Sequence, residues 1–441
     1  MHDSDGSSEP SGDLAIDIAG LTRVEGEGSL RLKVRNGVVE QAHLSIFEAP
    51  RYFERLVVGR TPDEVIDIVA RVCGICPVAY QMTAVHAFEQ GLGIEIEPSV
   101  RMLRRLLYCG EWIESHALHV YLLHLPDFLG YPSALDLAHD QRETVQAGLT
   151  LKQAGNRIVE LIGGRAIHPV SVRVGGFSRS FRRSEISLLR EPLSAALEIA
   201  LRTVSLVAAL DFPDYQRIGR MVALRQPGEY PMNEGRIVST DGLDLAPTDW
   251  RSEFGEQQVG WSNALQARGQ DGRPYLLGPS SRITLAAQQL HPVAAEALAR
   301  TGFAAQIATN PYCSIVARAI ELVDATAEAL DLIEAYRPPE AAAVAWQPGP
   351  ARAAWATEAP RGLIFHAYEL DERGYVARAQ IVPPTSQNQA AIEADLADFA
   401  PSVLDLPKAE ATLRIEQLIR SYDPCISCAT HFLDLSVEQI G

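Results

Sequence analysis

Apolar residues along this chain follow two rhythms. Near the N-terminus they alternate. Leu14-Ala15-Ile16-Asp17-Ile18 and Ser29-Leu30-Arg31-Leu32-Lys33-Val34 put every second side chain on one face, the period of a half-buried strand. Arg35-Asn36-Gly37 reads as a hairpin turn and Val38 to Phe47 as the return strand, so an antiparallel sheet opens the protein. From residue 77 to about 125 the spacing becomes helical: Val100, Leu103, Leu106, Leu107, Trp112, Ile113 and Leu118 recur with a period near 3.6. Helical spacing returns at about 137–163, 183–210, 283–300, 313–336, 388–398 and 407–421. A shorter helix, Pro62 to about Ala70, carries its own start signal: Thr61 as N-cap, Pro62 first, Asp63 and Glu64 in the first turn.

Between these stretches, Gln226 to Leu277 is rich in Gly, Pro, Asp and Trp and reads as loops or short strands. Ala341 to Ala356 reads as an Ala/Pro connector. Leu363 to Ile381 reads as a second hairpin turning at Asp371-Glu372-Arg373-Gly374. The pattern predicts an α+β fold, mainly helical: a central helical bundle, a small N-terminal antiparallel sheet and peripheral hairpins. Residues 1–13, mostly Ser, Asp, Gly and Glu, read as a disordered lead-in. The expected organisation is one large domain over 14–431, followed by a tail, 432–441.

Composition narrows the function. A 47% hydrophobic content is ample for a core, and a net charge of −17 argues against nucleic acid or an anionic membrane as the main partner. The start is neither basic nor followed by an apolar run, so it is no secretory signal, and no apolar run is long enough for a transmembrane helix. A cytoplasmic location follows by default. Six cysteines in so long a chain make no disulfide framework. Cys109 and Cys313 stand alone and read as small buried apolar residues.

The other four form two Cys-x-x-Cys pairs near opposite ends: Arg71-Val72-Cys73-Gly74-Ile75-Cys76-Pro77 and Asp423-Pro424-Cys425-Ile426-Ser427-Cys428-Ala429-Thr430-His431. Four thiolates can make one site for a soft or borderline metal, and such a site would bring the C-terminus back to residue 75. Structural zinc is the plain alternative. Zinc pairs, however, usually lie close in sequence, and these are separated by most of the chain. A thioredoxin-like redox pair is a further alternative, but neither pair sits on an obvious βαβ unit.

The two motifs with their flanks resemble the signatures of the nickel-iron hydrogenase large subunit. Leu21-Thr22-Arg23-Val24-Glu25-Gly26, Arg51-Tyr52-Phe53-Glu54, His168-Pro169, Gly175-Gly176, Ala359-Pro360-Arg361-Gly362 and His366 agree with it. The resemblance implies Cys73 and Cys425 as terminal nickel ligands. Cys76 and Cys428 would bridge nickel to an iron that carries carbon monoxide and cyanide. It implies Glu25 as proton relay, Arg361 beside the iron ligands, and Asp423 as a carboxylate near the nickel. Taken alone, Glu25 could be a solvated turn carboxylate, Arg361 a surface ion pair with Glu358, and Asp423 a turn cap. The resemblance also implies a second ion, magnesium or iron, held by Glu54, the Ile381 carbonyl and His431.

The implied reaction is reversible heterolytic oxidation of H2, with a cysteine thiolate or Arg361 as base. Too few cysteines remain for an iron-sulfur cubane, which takes four, and no Gly-x-Gly-x-x-Gly follows a strand. An iron-sulfur small subunit is therefore implied. Tyr80, Ser115 and Glu27 stand where many members have His, Asp and His. The Pro-Val continuation and the Glu114-to-His119 run resemble the cytoplasmic bidirectional subgroup, which couples to nicotinamide or deazaflavin cofactors. That implies a diaphorase-type flavin/nicotinamide module. Family members also need maturation proteins, and in many an endopeptidase removes the tail after the residue matching His431. A retained tail is the alternative. A non-catalytic subunit of respiratory type, or one stapled by zinc, remains as the other functional class.

Overall fold

A computed structural model describes residues 14–49 and 52–430. The lead-in, Arg51, His431 and the tail lie outside the described residues. Strands Leu14–Ile18, Gly28–Arg35 and Val38–Ile46 form the expected antiparallel sheet, with the middle strand paired to both neighbours. Asn36 and Gly37 turn the hairpin at φ 52° and 76°, the left-handed conformation such a two-residue turn requires. Its buried face, Ile16, Leu30, Leu32, Val34 and Leu44, packs on Ile392, Leu396, Ile415 and Leu418 from two C-terminal helices. The alternation read at the N-terminus is therefore a docking face for the chain's other end.

The bundle is built from helices Pro77–Leu92, Pro98–Leu118, Arg142–Gly163, Arg190–Ala208 and Ser314–Ala335. The Pro98 and Arg142 helices approach closely because Gly155 has no side chain: a Cβ there would lie 2.5 Å from the Gly110 carbonyl oxygen. The Pro98 helix runs into a π-helical turn, His119–His124. Such a turn adds a residue to the helix and re-aims its side chains, and it often marks a functional site. Helix Pro62–Val69 starts with the full capping box: Thr61 N–H donates to Glu64 Oε2 (2.9 Å) and Glu64 N–H to Thr61 Oγ1.

One expectation fails. Residues 351–359 form no connector but a nine-residue strand, Ala351–Ala359, paired with Gly362–Leu370, which pairs in turn with Val376–Val382. The strand lies on helix Pro77–Leu92, where a Cβ on Gly91 would meet Ala353 Cβ at 2.8 Å. Its alanines reflect that close approach; they weaken intrinsic strand preference, which is why the pattern hid the strand. Residues 226–277 hold short strands as expected, and helix Pro384–Phe399 starts four residues earlier than its apolar pattern indicated. Among the described residues no helix is long and apolar enough to cross a membrane.

Candidate metal centre

Each cysteine pair is delivered by a helix end. Helix Pro62–Val69 tightens into a 3-10 turn, Ala70–Val72, and releases Cys73 in an extended conformation. Cys73 Sγ accepts the Ile75 and Cys76 amides at 3.3 and 3.2 Å, which curls the pair into a loop. Cys76 is the N-cap of helix Pro77–Leu92, with Pro77 in the first turn. At the other end, helix Lys408–Ser421 stops, Asp423 turns the chain at φ 52°, and Pro424 leads into Cys425. The Cys425 amide donates to Thr385 Oγ1 (2.9 Å) and Ile426 N–H to the Glu25 carbonyl (2.8 Å), so Glu25 and Cys425 run side by side as a parallel bridge.

The four sulfurs meet. Buried Sγ atoms of Cys73, Cys76, Cys425 and Cys428 all lie within 4.8 Å of one another. Cys73 is 3.5 Å from Cys425, and Cys76 is 4.0 Å from Cys428. The Cys425 and Cys428 sulfurs stand 2.50 Å apart, and Cys73 and Cys76 are free thiols. Metal binding takes all four as thiolates. Burial opposes ionisation of Cys73, but the Cys76 thiol and the Arg361 guanidinium outweigh it and bring its pKa below the usual thiol value. Cys76, sharing a proton with Cys73 and buried, is pushed well up. Of this pair Cys73 ionises first.

Charged groups surround the sulfurs. Glu25 Oε2 lies 3.1 Å from Cys425 Sγ and accepts Ser427 N–H at 3.1 Å. It is half-buried and contacts a sulfur, so it is no solvated turn carboxylate. Ser427 Oγ in turn donates to Glu48 Oε1 (2.9 Å). Ser427 and Glu48 escaped the sequence reading, although Ser427 lies between the two cysteines of the second motif. Arg361 is buried and pairs with Asp423, not with Glu358: Nε donates to the Asp423 carbonyl (2.9 Å) and one NH2 group to its carboxylate (3.0 Å). Burial lowers the Arg361 pKa, but Asp423 and the thiols of Cys76 and Cys73 outweigh that, so it stays above the ordinary arginine value. Its other terminal nitrogen, NH1, is buried with no hydrogen-bond partner among the described residues.

Those features test the fit of a nickel–iron pair. Four convergent buried sulfurs are a soft donor set that suits both metals. An orphaned guanidinium N–H beside them offers a donor to an anionic ligand on the iron. The residues fit.

The second expected ion site is half described. Glu54 Oε1 accepts the Ile381 amide at 2.7 Å, and His431 lies outside the described residues. The contact comes from the Ile381 N–H, not its carbonyl. Strand Val376–Val382 is a sheet edge, however, and in an antiparallel edge strand one residue turns N–H and C=O to the same side. The Ile381 carbonyl therefore leaves the strand on the same edge as its N–H. Burial pushes Glu54 up to about 7, and burial together with the Glu54 charge pushes neighbouring Glu256 to about 8. Two carboxyls held this far above their usual range gain from a cation.

The three departures are spread over the site. Tyr80 is buried one turn after Cys76 with its ring 5.7 Å from that of His366. Ser115 is buried with an unpartnered hydroxyl among the described residues. Glu27 is exposed, its amide on Glu48.

Behind Cys76, buried Glu111 accepts the Val78 and Ala79 amides (2.5 and 3.1 Å) and so anchors the helix that Cys76 caps. Glu114, one turn on, is pushed up to about 8 by burial, although Lys152 Nζ at 3.8 Å pulls the other way. In the folded protein its pKa is raised from 4.5, so the fold holds a proton there that the unfolded chain gives up. The fold loses stability as pH rises from about 4.5 to about 8. Glu114→Gln should therefore be about as stable as the parent at pH 5 and more stable at pH 8, by on the order of a few kcal/mol, and should melt accordingly. Identical melting-temperature profiles against pH would refute the assignment.

Comparison with known proteins agrees with this site. A family profile described as nickel-dependent hydrogenase matches residues 51–152 and 267–431. The alpha subunit of sulfhydrogenase 2 from Pyrococcus furiosus is 34% identical over 96% of this chain and 100% of its own length. A chain of the vhu F420-non-reducing hydrogenase of Methanocaldococcus jannaschii is 30% identical over 86% of this chain and 96% of its own length. Among solved structures, an NAD+-reducing [NiFe]-hydrogenase in the H2-reduced state superposes with a TM-score of 0.84 at 25% identity, covering 95% of this chain and 100% of that one. With its four cysteines gathered at one buried point, this chain belongs to the nickel-dependent hydrogenase family, as a catalytic large subunit.

Proposed function

We propose that this subunit oxidises H2 reversibly to two protons and two electrons at the Cys73–Cys76–Cys425–Cys428 site. Cys73, Cys76, Cys425 and Cys428 would hold the nickel, and Cys76 and Cys428 would also hold the iron. Polarising and splitting H2 is the chemistry a nickel–iron pair supplies when bound. The observation that carries the reading is the 3.1 Å contact between Cys425 Sγ and Glu25 Oε2 within the sulfur cluster. A thiolate that gains a proton there can pass it to Glu25, within hydrogen-bond reach. Ser427 donates its amide to Glu25 and its hydroxyl to half-buried Glu48. Arg361, with its pKa held high by Asp423 and the thiols, keeps its proton. It would serve as a fixed donor to a cyanide on the iron, which leaves the thiolate as base. Glu54, the Ile381 carbonyl and His431 would hold magnesium or a second iron.

Electrons leave through an iron-sulfur small subunit. Outside the four clustered cysteines the chain has Cys109 and Cys313, both buried, which cannot supply a cubane. The exit lies at Gly74, exposed between Cys73 and Cys76, with exposed Arg71 three residues before it. The acceptor beyond it is a soluble nicotinamide, NAD(P), reached through a diaphorase-type module. The similarity to an NAD+-reducing enzyme supports this. Residues 14–431 act as one domain in the cytoplasm. Maturation proteins load the metals, and an endopeptidase removes 432–441 after His431. An intact mass that ends at Gly441 in active enzyme would refute that removal.

Metal analysis tests the central reading. The purified complex should hold one nickel per large subunit, with iron at this site beyond what its iron-sulfur clusters carry. Zinc alone would make the four cysteines a staple and the subunit non-catalytic.

A further inference from the structure

Asp127 belongs to no motif and touches none of the four cysteines, yet both segments that meet at the proton-transfer contact hang from it. Its side chain is fully buried. Arg420 reaches it with two nitrogens, Nε to Oδ2 at 2.8 Å and NH2 to Oδ1 at 2.9 Å, and Arg23 NH2 donates to the same Oδ1. Arg23 stands two residues before Glu25. Arg420 lies in the last turn of the helix that delivers Asp423 and Cys425. One carboxylate therefore ties the Glu25 segment to the Cys425 segment.

The surrounding bonds strengthen the tie. Arg420 NH1 donates to the Thr22 carbonyl (3.3 Å), and Arg23 NH1 to the Leu123 carbonyl (3.0 Å). Gln417 Nε2 donates to the Asp127 carbonyl (3.3 Å). His119 Nε2 lies 2.8 Å from the Arg420 carbonyl, aimed there from the π-helical turn. Arg23 itself sits at φ 57°, a left-handed conformation that a non-glycine residue keeps only when its surroundings impose it. Asp423, two residues before Cys425, is left-handed at φ 52° as well. Both strands of the Glu25–Cys425 bridge thus enter through a constrained turn, and Asp127 fastens the turn at Arg23 to the helix end at Arg420.

We propose that Asp127 is a positioning residue for proton transfer: by neutralising and pinning Arg23 and Arg420 together, it sets the distance between Glu25 and Cys425. The inference rests on Glu25 taking the proton from Cys425. A structural ion triad alone would hold the fold and leave the chemistry indifferent to small shifts. A proton-transfer contact is not indifferent, since a displacement of about 1 Å can cost on the order of a hundredfold in rate.

The test uses the intact complex with two variants. Asp127→Asn keeps the shape and removes the charge. Arg23→Lys keeps the charge and loses the double grip on Asp127 and Leu123. In both, kcat should fall on the order of ten- to a hundredfold. The KM for H2 and the nickel and iron content should stay at parent values. The solvent deuterium isotope effect on kcat should rise, and the Ile426 amide should exchange with deuterium faster. If Asp127→Asn yields no folded protein, Arg23→Lys decides by the same readouts. Parent-like kcat and isotope effect would overturn the proposal, and so would loss of metal in both variants, which would make Asp127 a support of the fold. A Glu25→Gln enzyme that still turns over would sink the proton reading itself, whatever Asp127 variants do.

Discussion

Glu25→Gln is expected to stop hydrogen turnover while leaving nickel and iron in place. The amide has the carboxylate's shape, and its oxygen can still accept Ser427 N–H, now at 3.1 Å from Glu25 Oε2. The Glu25 carbonyl keeps its bond to Ile426 N–H, because that bond is backbone. What goes is the titratable proton beside Cys425 Sγ. Loss of a positioned general base costs roughly 10²–10⁴-fold in rate. Single-turnover splitting should suffer less than steady-state uptake, because the first proton can stay on sulfur while later turnovers must clear it. Metal analysis, H2 uptake and H2/D2O exchange on one preparation check this. Nickel missing from the variant would make Glu25 structural, and normal uptake would place the proton exit elsewhere.

The sequence made the metal centre more legible than the scaffold that aims it. Two Cys-x-x-Cys pairs carry their chemistry in the residue type, so spacing and flanks suffice to mark Cys73, Cys76, Cys425 and Cys428. Thr61 with Glu64 and Asn36-Gly37 were equally readable, since capping boxes and tight hairpins are local. The strand Ala351–Ala359 was not, because its small residues answer to Gly91 on a helix far away in sequence. The start of helix Pro384–Phe399 was hidden for a related reason. Gln387, Asn388 and Gln389 look like surface residues but are buried, bonded to Leu363 O, Leu277 N and Leu44 O. No periodicity reveals a polar side chain whose partner is a distant backbone group. Asp127 shares that fate, as an acid whose meaning comes from arginines at both ends of the chain.

This protein keeps many of its charges inside, and one such cluster also supports the turn before Arg361. Arg282, Glu321 and Glu358 have fully buried side chains. Arg282 grips Glu321 with two nitrogens (2.7 and 2.8 Å) and Glu358 with a third (2.9 Å), and lies 4.3 Å above the Trp112 ring. The same guanidinium donates to the carbonyls of Ala359 and Pro360, both at 2.9 Å, immediately before Arg361. Arg282 therefore shapes the turn that carries Arg361 to the metal centre.

Arg282→Met is expected to be the most damaging single change. It leaves two carboxylates buried without their cation, and breaking a buried pair this way costs about 3–5 kcal/mol. The deficit should grow with pH. In the parent, burial raises Glu321, but Arg282 outweighs it and holds the pKa at about 2; burial leaves Glu358 at about 7. The depressed Glu321 pKa contributes stability that is present above its ordinary value of 4.5 and is lost as pH falls toward 2. Without Arg282 burial dominates and the Glu321 pKa moves above the ordinary value. The variant then loses more stability than the parent as pH rises, because Glu321 joins the carboxyls that burial already raises. At pH 5 protonated carboxyls soften the loss, and at pH 8 they cannot. Arg282→Met combined with Glu321→Gln and Glu358→Gln should recover part of it, because no unpaired charge then remains in the core. Melting temperatures of the parent, the single and the triple variant at pH 5 and pH 8 decide the matter. A single variant that melts with the parent at both pH values would show that the cluster contributes nothing to the fold. A triple variant less stable than the single at pH 8 would show that the cost lies in lost hydrogen bonds to Ala359 and Pro360, not in buried charge.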